Sequence, residues 1–133
     1  MTNLTVNNIA LSSVVLGNPE FKDDFLTFTG AGTVVDGTIL ARDSVSLKLV
    51  PFVKGGSTNE NGIPKTVLTF DVIAAGAGDE AIRSMISGEV RKEKLIIDAD
   101  GDGSNIDNAV LDQLRDFGIT PVNVDELNIQ DNQ

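Results

Sequence analysis

Thr66-Val67-Leu68-Thr69-Phe70-Asp71-Val72-Ile73 is the stretch on which the fold turns. It is rich in β-branched and aromatic side chains and predicts a strand. Working upstream, Val45-Ser46-Leu47-Lys48-Leu49-Val50 has period two and predicts another strand, ended by Pro51. Thr38-Ile39-Leu40-Ala41-Arg42 predicts a third, with Asp43-Ser44 as the turn between them. Before that, Leu26 and Phe28 alternate with Thr27 and Thr29 and run into a turn at Gly30-Ala31-Gly32. The segment Gly55-Gly56-Ser57-Thr58-Asn59-Glu60-Asn61-Gly62 carries no apolar residue and predicts an exposed loop. Strands this short, punctuated by Gly, Asp and Ser, suit a compact sheet or barrel-like domain.

Downstream the pattern changes. Ala74-Ala75-Gly76-Ala77-Gly78 predicts a flexible connection, and residues 79–97 read two ways. Asp79 could cap a helix carrying Ile82, Met85 and Ile86 on one face, or a strand could run from Ile82 to Val90 and bend at Gly88. Leu95-Ile96-Ile97 predicts a buried strand. A helix over about 105–117 follows: Ser104 and Asp107 have capping-box spacing, and Ile106, Val110, Leu114 and Phe117 form one stripe. Gly118 stands where a C-terminal cap belongs and Pro121 blocks continuation. The fold class is therefore α+β and β-rich: a small mixed β domain with one helix in its C-terminal third.

The 133 residues carry 20 acidic and 10 basic side chains, a net charge of −10, and lack Cys, His, Trp and Tyr. One domain is expected at this length. Without Cys or His there is no disulfide framework, no usual zinc, haem or iron–sulfur site, and no Ser–His or Cys–His nucleophile pair. The expectation is a protein that is not an enzyme and holds no cofactor and no metal. The acid is concentrated: residues 1–97 sum to −2 and residues 98–133 to −8, so the last third faces solvent. An acidic chain is repelled by DNA and by anionic membranes. The basic cluster Arg91-Lys92-Glu93-Lys94 is short and interrupted, and reads as a strand face of offsetting charges. No nucleic-acid partner and no membrane partner are expected, and Met1-Thr2-Asn3-Leu4 lacks the start of a signal peptide, which implies synthesis in a cytoplasm.

The opening residues are unusual for the start of a domain. Leu4 and Val6, then Ile9 and Leu11, alternate with polar neighbours, and no charge appears before Glu20. Such a stretch reads either as an ordinary first strand or as an extended arm that adds to the sheet edge of a partner. Gly17-Asn18-Pro19 interrupts it. The resulting division is an N-terminal arm over residues 1–24 and a β-rich domain over 25–133 that ends in a polar tail.

Few segments resemble a chemical site. Asp98-Ala99-Asp100-Gly101-Asp102-Gly103-Ser104 matches the first half of a calcium loop, with carboxylates at positions 1, 3 and 5 and Gly at 6. Its second half fails, since Ala109 stands where a bidentate Glu should be. An acidic turn at a helix N-terminus is the plainer reading, and a calcium-dependent β module for adhesion or ligand binding is the alternative function. Gly30-Ala31-Gly32 and Gly76-Ala77-Gly78 lack the endings of phosphate loops and read as turns. The pairs Asp23-Asp24 and Glu89/Glu93 read as solvated charge.

The order Gly37-Thr38-Ile39-Leu40, Lys48-Leu49-Val50-Pro51 and Val67-Leu68-Thr69-Phe70-Asp71-Val72 resembles the head decoration proteins of lambda-like tailed phages. So does Ser87-Gly88-Glu89-Val90-Arg91 followed by a strand, an acidic loop and a short helix ending at Gly118. The resemblance covers about residues 30–120. It implies a β-tulip-like domain with strand rather than helix over 79–97, and an N-terminal segment that orders against the shell. It further implies a homotrimer on the outer surface of a phage capsid at local three-fold positions. The expected function is a structural virion protein that stabilises the mature shell, with the major capsid protein and itself as partners and Leu4, Val6, Ile9 and Leu11 as capsid-binding positions.

Overall fold

The computed structural model describes residues 14–123. Among the described residues there are eight strands: β1 (Val15–Phe28), β2 (Gly32–Val34), β3 (Ile39–Arg42), β4 (Leu49–Pro51), β5 (Pro64–Leu68), β6 (Val72–Ala74), β7 (Gly78–Arg91) and β8 (Ile119–Val122). A 3-10 turn covers Lys92–Lys94, and one helix, α1, spans Asn108–Asp116. The β-rich α+β class holds, with a single helix among the described residues.

The strands close on themselves. The large sheet runs β1-β4-β3-β5-β7, and β7 pairs back onto β1, so five strands form a small barrel with β8 added to the far end of β7. Closure removes the open edges that an isolated sheet would present. The β1–β4 seam is parallel at Leu26↔Leu49, the β7–β8 pairing is parallel, and the other ladders of this sheet are antiparallel. β2 and β6 form a separate antiparallel pair.

β3, the second half of β5 and the middle of β7 at Ser84 and Met85 are buried on both faces, which explains the unbroken apolar runs Ile39-Leu40-Ala41 and Val67-Leu68. Leu40, Leu68 and Ile82 point into the barrel with Leu26, Leu49 and Phe28. Ile39, Ala41, Val67 and Met85 point the other way, onto Val110, Leu111 and Leu114 of α1.

Residues 79–91 are strand, and the bend at Gly88 is real. There φ is +124°, and a Cβ would come within 2.7 Å of the Asn18 carbonyl and 2.9 Å of Pro19 Cα. The β1–β7 register slips opposite this point, passing from Val15↔Val90 to Gly17↔Glu89 and Glu20↔Ser87. A bulge of this kind lets Pro19, which cannot donate to a ladder, sit inside a paired strand. The expected arm over 1–24 is corrected accordingly: residues 15–24 belong to β1, and Val14 is fully buried in the core beneath α1.

Three further expectations are revised. Val45 and Leu47 belong to a turn rather than a strand, because the Asp43 carboxylate accepts hydrogen bonds from the Val45 and Ser46 amides at 2.8 and 2.9 Å. Leu47 then takes φ +65°, outside any strand. The run Thr66–Ile73 divides into β5 and β6 at a link where the Asp71 carboxylate accepts the Asp36 amide at 2.8 Å. Leu95 and Ile97 are buried as expected, but the segment forms no strand and makes two isolated bridges, Thr38↔Ile96 and Ile97↔Asp102.

The helix begins later than its sequence spacing implied. Asp107 is the N-cap, accepting the Val110 amide at 3.1 Å, while Ser104 turns back to Asp102. Val110 and Leu114 of the expected stripe are buried and Ile106 packs beside them, joined by Leu111. Phe117 instead lies at the surface, under the Lys65 ammonium at 3.9 Å from the ring centre. After Gly118 the chain does stop being helical, and Pro121 sits in the outermost strand, β8.

Candidate functional site

The capsid-binding positions expected from the sequence, Leu4, Val6, Ile9 and Leu11, lie outside the described residues, as does the polar tail after Leu127. The structure does place the point from which the opening segment departs. The Val14 carbonyl accepts the Arg91 amide at 2.8 Å, and Arg91 Nη1 donates to the Val15 carbonyl at 3.1 Å. On the other side of Arg91, β8 pairs through Val122. The junction is therefore held by a ladder bond, a side-chain bond and a buried valine. This also revises the basic cluster: Arg91 ends β7 and Lys92–Lys94 form the 3-10 turn, not a strand face.

The acidic loop does not gather its carboxylates. Asp102 accepts the Ser104 amide at 3.0 Å and its hydroxyl at 2.7 Å, and these bonds lower its pKa. Asp100 accepts the Asn105 side-chain amide at 3.0 Å. Asp98 is turned into a cleft beside Thr58 and Asn61, and burial pushes its carboxyl up. Tight closure between the Ile97 amide and the Asp102 carbonyl, at 3.0 Å, makes the segment a structural turn. Among the described residues, no group of three acidic side chains comes together in a way that could hold a metal ion.

Asp23 and Asp24 separate because neighbours on a strand face opposite ways. Asp24 turns to the barrel mouth and forms a two-pronged pair with Arg42, Nη1–Oδ1 2.9 Å and Nη2–Oδ2 2.7 Å. Arg42 also donates to the Leu47 carbonyl at 3.0 Å. Burial pushes the Asp24 carboxyl up, but the Arg42 guanidinium and the Phe25 amide together outweigh it and hold the pKa below the usual carboxylate value. Reading both residues as solvated charge was right for Asp23 alone.

The sequence reading missed the outer face of the β1–β7 ribbon. Phe21, Asp23 and Phe25 share that face, opposite Met85, Arg83 and Ala81. Phe25 is 50% exposed, and with Phe70, on the β5–β6 link, it lines one shallow depression beside Arg83. Arg83 lies over the Phe21 ring at 5.8 Å and reaches Asp23 at 3.6 Å. The signal was available: once Leu26 and Phe28 are assigned inward, period two sends Phe21 and Phe25 outward.

The chain matches no family model, no curated protein and no solved structure.

Proposed function

We propose that this chain is a structural virion protein: a homotrimeric decoration protein that binds the outer surface of a phage capsid at local three-fold positions. Its partner is the major capsid protein, and it stabilises the mature shell by binding that state alone, so that the gain grows with occupancy. The observation that carries the reading is the uncharged, alternating segment before Val14, joined to a barrel that already pairs its own strands. Such a segment suits strand addition, in which backbone bonds supply affinity and Leu4, Val6, Ile9 and Leu11 supply register. Ordering it costs roughly 1–2 kcal/mol per residue, so one segment alone binds weakly. Three on one trimer make attachment multivalent and slow to reverse. An acidic last third, net −8 over residues 98–133, favours a solvent-facing orientation that keeps particles apart.

The test is a deletion that stops short of the core. Removing residues 2–13 spares Val14, and the truncated protein is expected to keep its circular dichroism and unfolding midpoint while losing binding to purified expanded shells. Undiminished co-sedimentation of the truncated, folded protein with shells would overturn the reading.

A further inference from the structure

We infer that the aromatic face of the β1–β7 ribbon is where copies of this chain meet, with a second copy seated over Phe25, Phe70 and Arg83. The inference deepens the proposed trimer by assigning its contact face. It starts from where the aromatics lie. Phe28 and Phe52 are buried, whereas Phe21, Phe25 and Phe70 are between 37% and 50% exposed and gather on one side of the barrel. Aromatic side chains with a central Arg are the composition of energetic anchors at protein contacts, where they outweigh the surrounding polar rim.

The occupant follows from charge. Two copies at −10 each repel, so self-association needs a face on which the charge is locally balanced. This face provides one. Asp23 and Arg83 stand side by side at 3.6 Å, and both side chains are largely solvated, 92% and 68% exposed. A pair of opposite charges that is adjacent and exposed on one copy can exchange partners head to tail around a three-fold axis, Asp23 of each copy facing Arg83 of the next, so that every charge stays paired in a ring of three. Asp24 adds no net charge there, because Arg42 already neutralises it.

Position within the fold agrees. Phe25 lies ten residues along β1 from Val15, roughly 30 Å at the usual strand rise, so the aromatic face is far from the junction at Val14. Contact between copies and attachment through the opening segment therefore use different ends of the ribbon, and both can operate at once.

Sedimentation velocity on the full chain tests this without any shell. The wild type is expected at three chain masses, and Phe25→Ser/Phe70→Ser at one, with circular dichroism unchanged because neither ring is in the core. Arg83→Asp is expected to dissociate the assembly, and adding Asp23→Arg to restore it, which guards against misreading a folding defect. A wild type of two chain masses that falls to one in the double variant keeps the face and replaces the three-fold ring with a pair. A wild type that is a single chain at high concentration, or a double variant that keeps the wild-type mass, overturns the inference. If the double variant keeps its mass but no longer binds shells, the face belongs to the capsid protein instead. None of these outcomes depends on the deletion of residues 2–13, so the contact face and the attachment segment stand or fall separately.

Discussion

The cluster beneath α1 and the cluster inside the barrel share the β3–β5–β7 wall, yet they are closed by different means. On the helix side, Val110, Leu111 and Leu114 lie over Ile39, Val67 and Met85, with Val14 and Ile119 filling the flank. Inside the barrel, Leu26, Leu40, Leu49, Leu68 and Ile82 are rimmed by the Asp24–Arg42 pair. That side also takes in polar atoms. Thr66 stands opposite Leu40 and Ser84 opposite Leu68, so both hydroxyls share the inward face, as does Thr38 two residues before Leu40. Among the described residues these three buried hydroxyls have no hydrogen-bond partner. A helix is a movable lid that can settle onto its wall. A ring of strands is fixed by ladders on both sides, so its strands cannot shift to bring a buried hydroxyl to a partner.

Removing one large side chain from each cluster gives the largest effect and the sharpest contrast. Leu68→Ala and Leu114→Ala are each expected to cost about 2–5 kcal/mol. Leu68→Ala is expected toward the upper end, since β5 is bonded to β3 and β7 and cannot collapse into the cavity. Urea unfolding of the two variants measures the difference, and a larger loss at Leu114 would break the comparison.

Asp24→Asn is expected to cost about 1.5–3 kcal/mol at neutral pH, the range for a hydrogen bond to a charged group. The cost should depend on pH. A folded pKa below the unfolded value of about 4 gives stability that is present above that value and is lost as the pH falls through the folded pKa. The gap between wild type and Asp24→Asn should therefore narrow in acid, and a gap that is constant from pH 7 to pH 3 would show that the pair contributes nothing through its charge.

The smallest effect carries the opposite sign. Ser84→Ala and Thr38→Val remove buried, unpartnered hydroxyls with little change of shape, and each is expected to raise stability by up to about 1 kcal/mol. A loss on either substitution, read as a fall in the thermal midpoint, would mean that the hydroxyl is satisfied and that the barrel interior is as well paired as the helix side.

The helix side was also the more legible in sequence. Val110 and Leu114 keep helical spacing and Gly118 ends the run, all within a dozen residues, although the cap falls to Asp107 and not to Ser104. Local signals of that length can be read from one segment. The bend at Gly88 was legible for the same reason. What failed depended on distant partners. Gly17-Asn18-Pro19 looks like the end of an extended piece until β7 is brought alongside with Gly88 making room, and nothing near residue 19 announces a partner near residue 88. Val45 and Leu47 alternate like a strand, but Asp43 captures two amides first, and a side chain that competes for backbone donors is invisible to a hydrophobic pattern. The aromatic face was hidden because an exposed Phe carries the same letter as a buried one, and only the inward assignment of Leu26 gives it a side.

The seam between β1 and β7 also governs the order of events during synthesis. Phe28 must wait for Gly78, and Val15 for Val90, before either strand has its long partner. Helix α1 can form from neighbours in the chain, whereas the ring shuts only by bringing remote stretches together, the slow kind of step in folding. Until then β1 leaves the ribosome with Phe21, Phe25, Leu26 and Phe28 all uncovered, and of the described strands it waits longest for its partner and is the most exposed to pairing with another nascent chain.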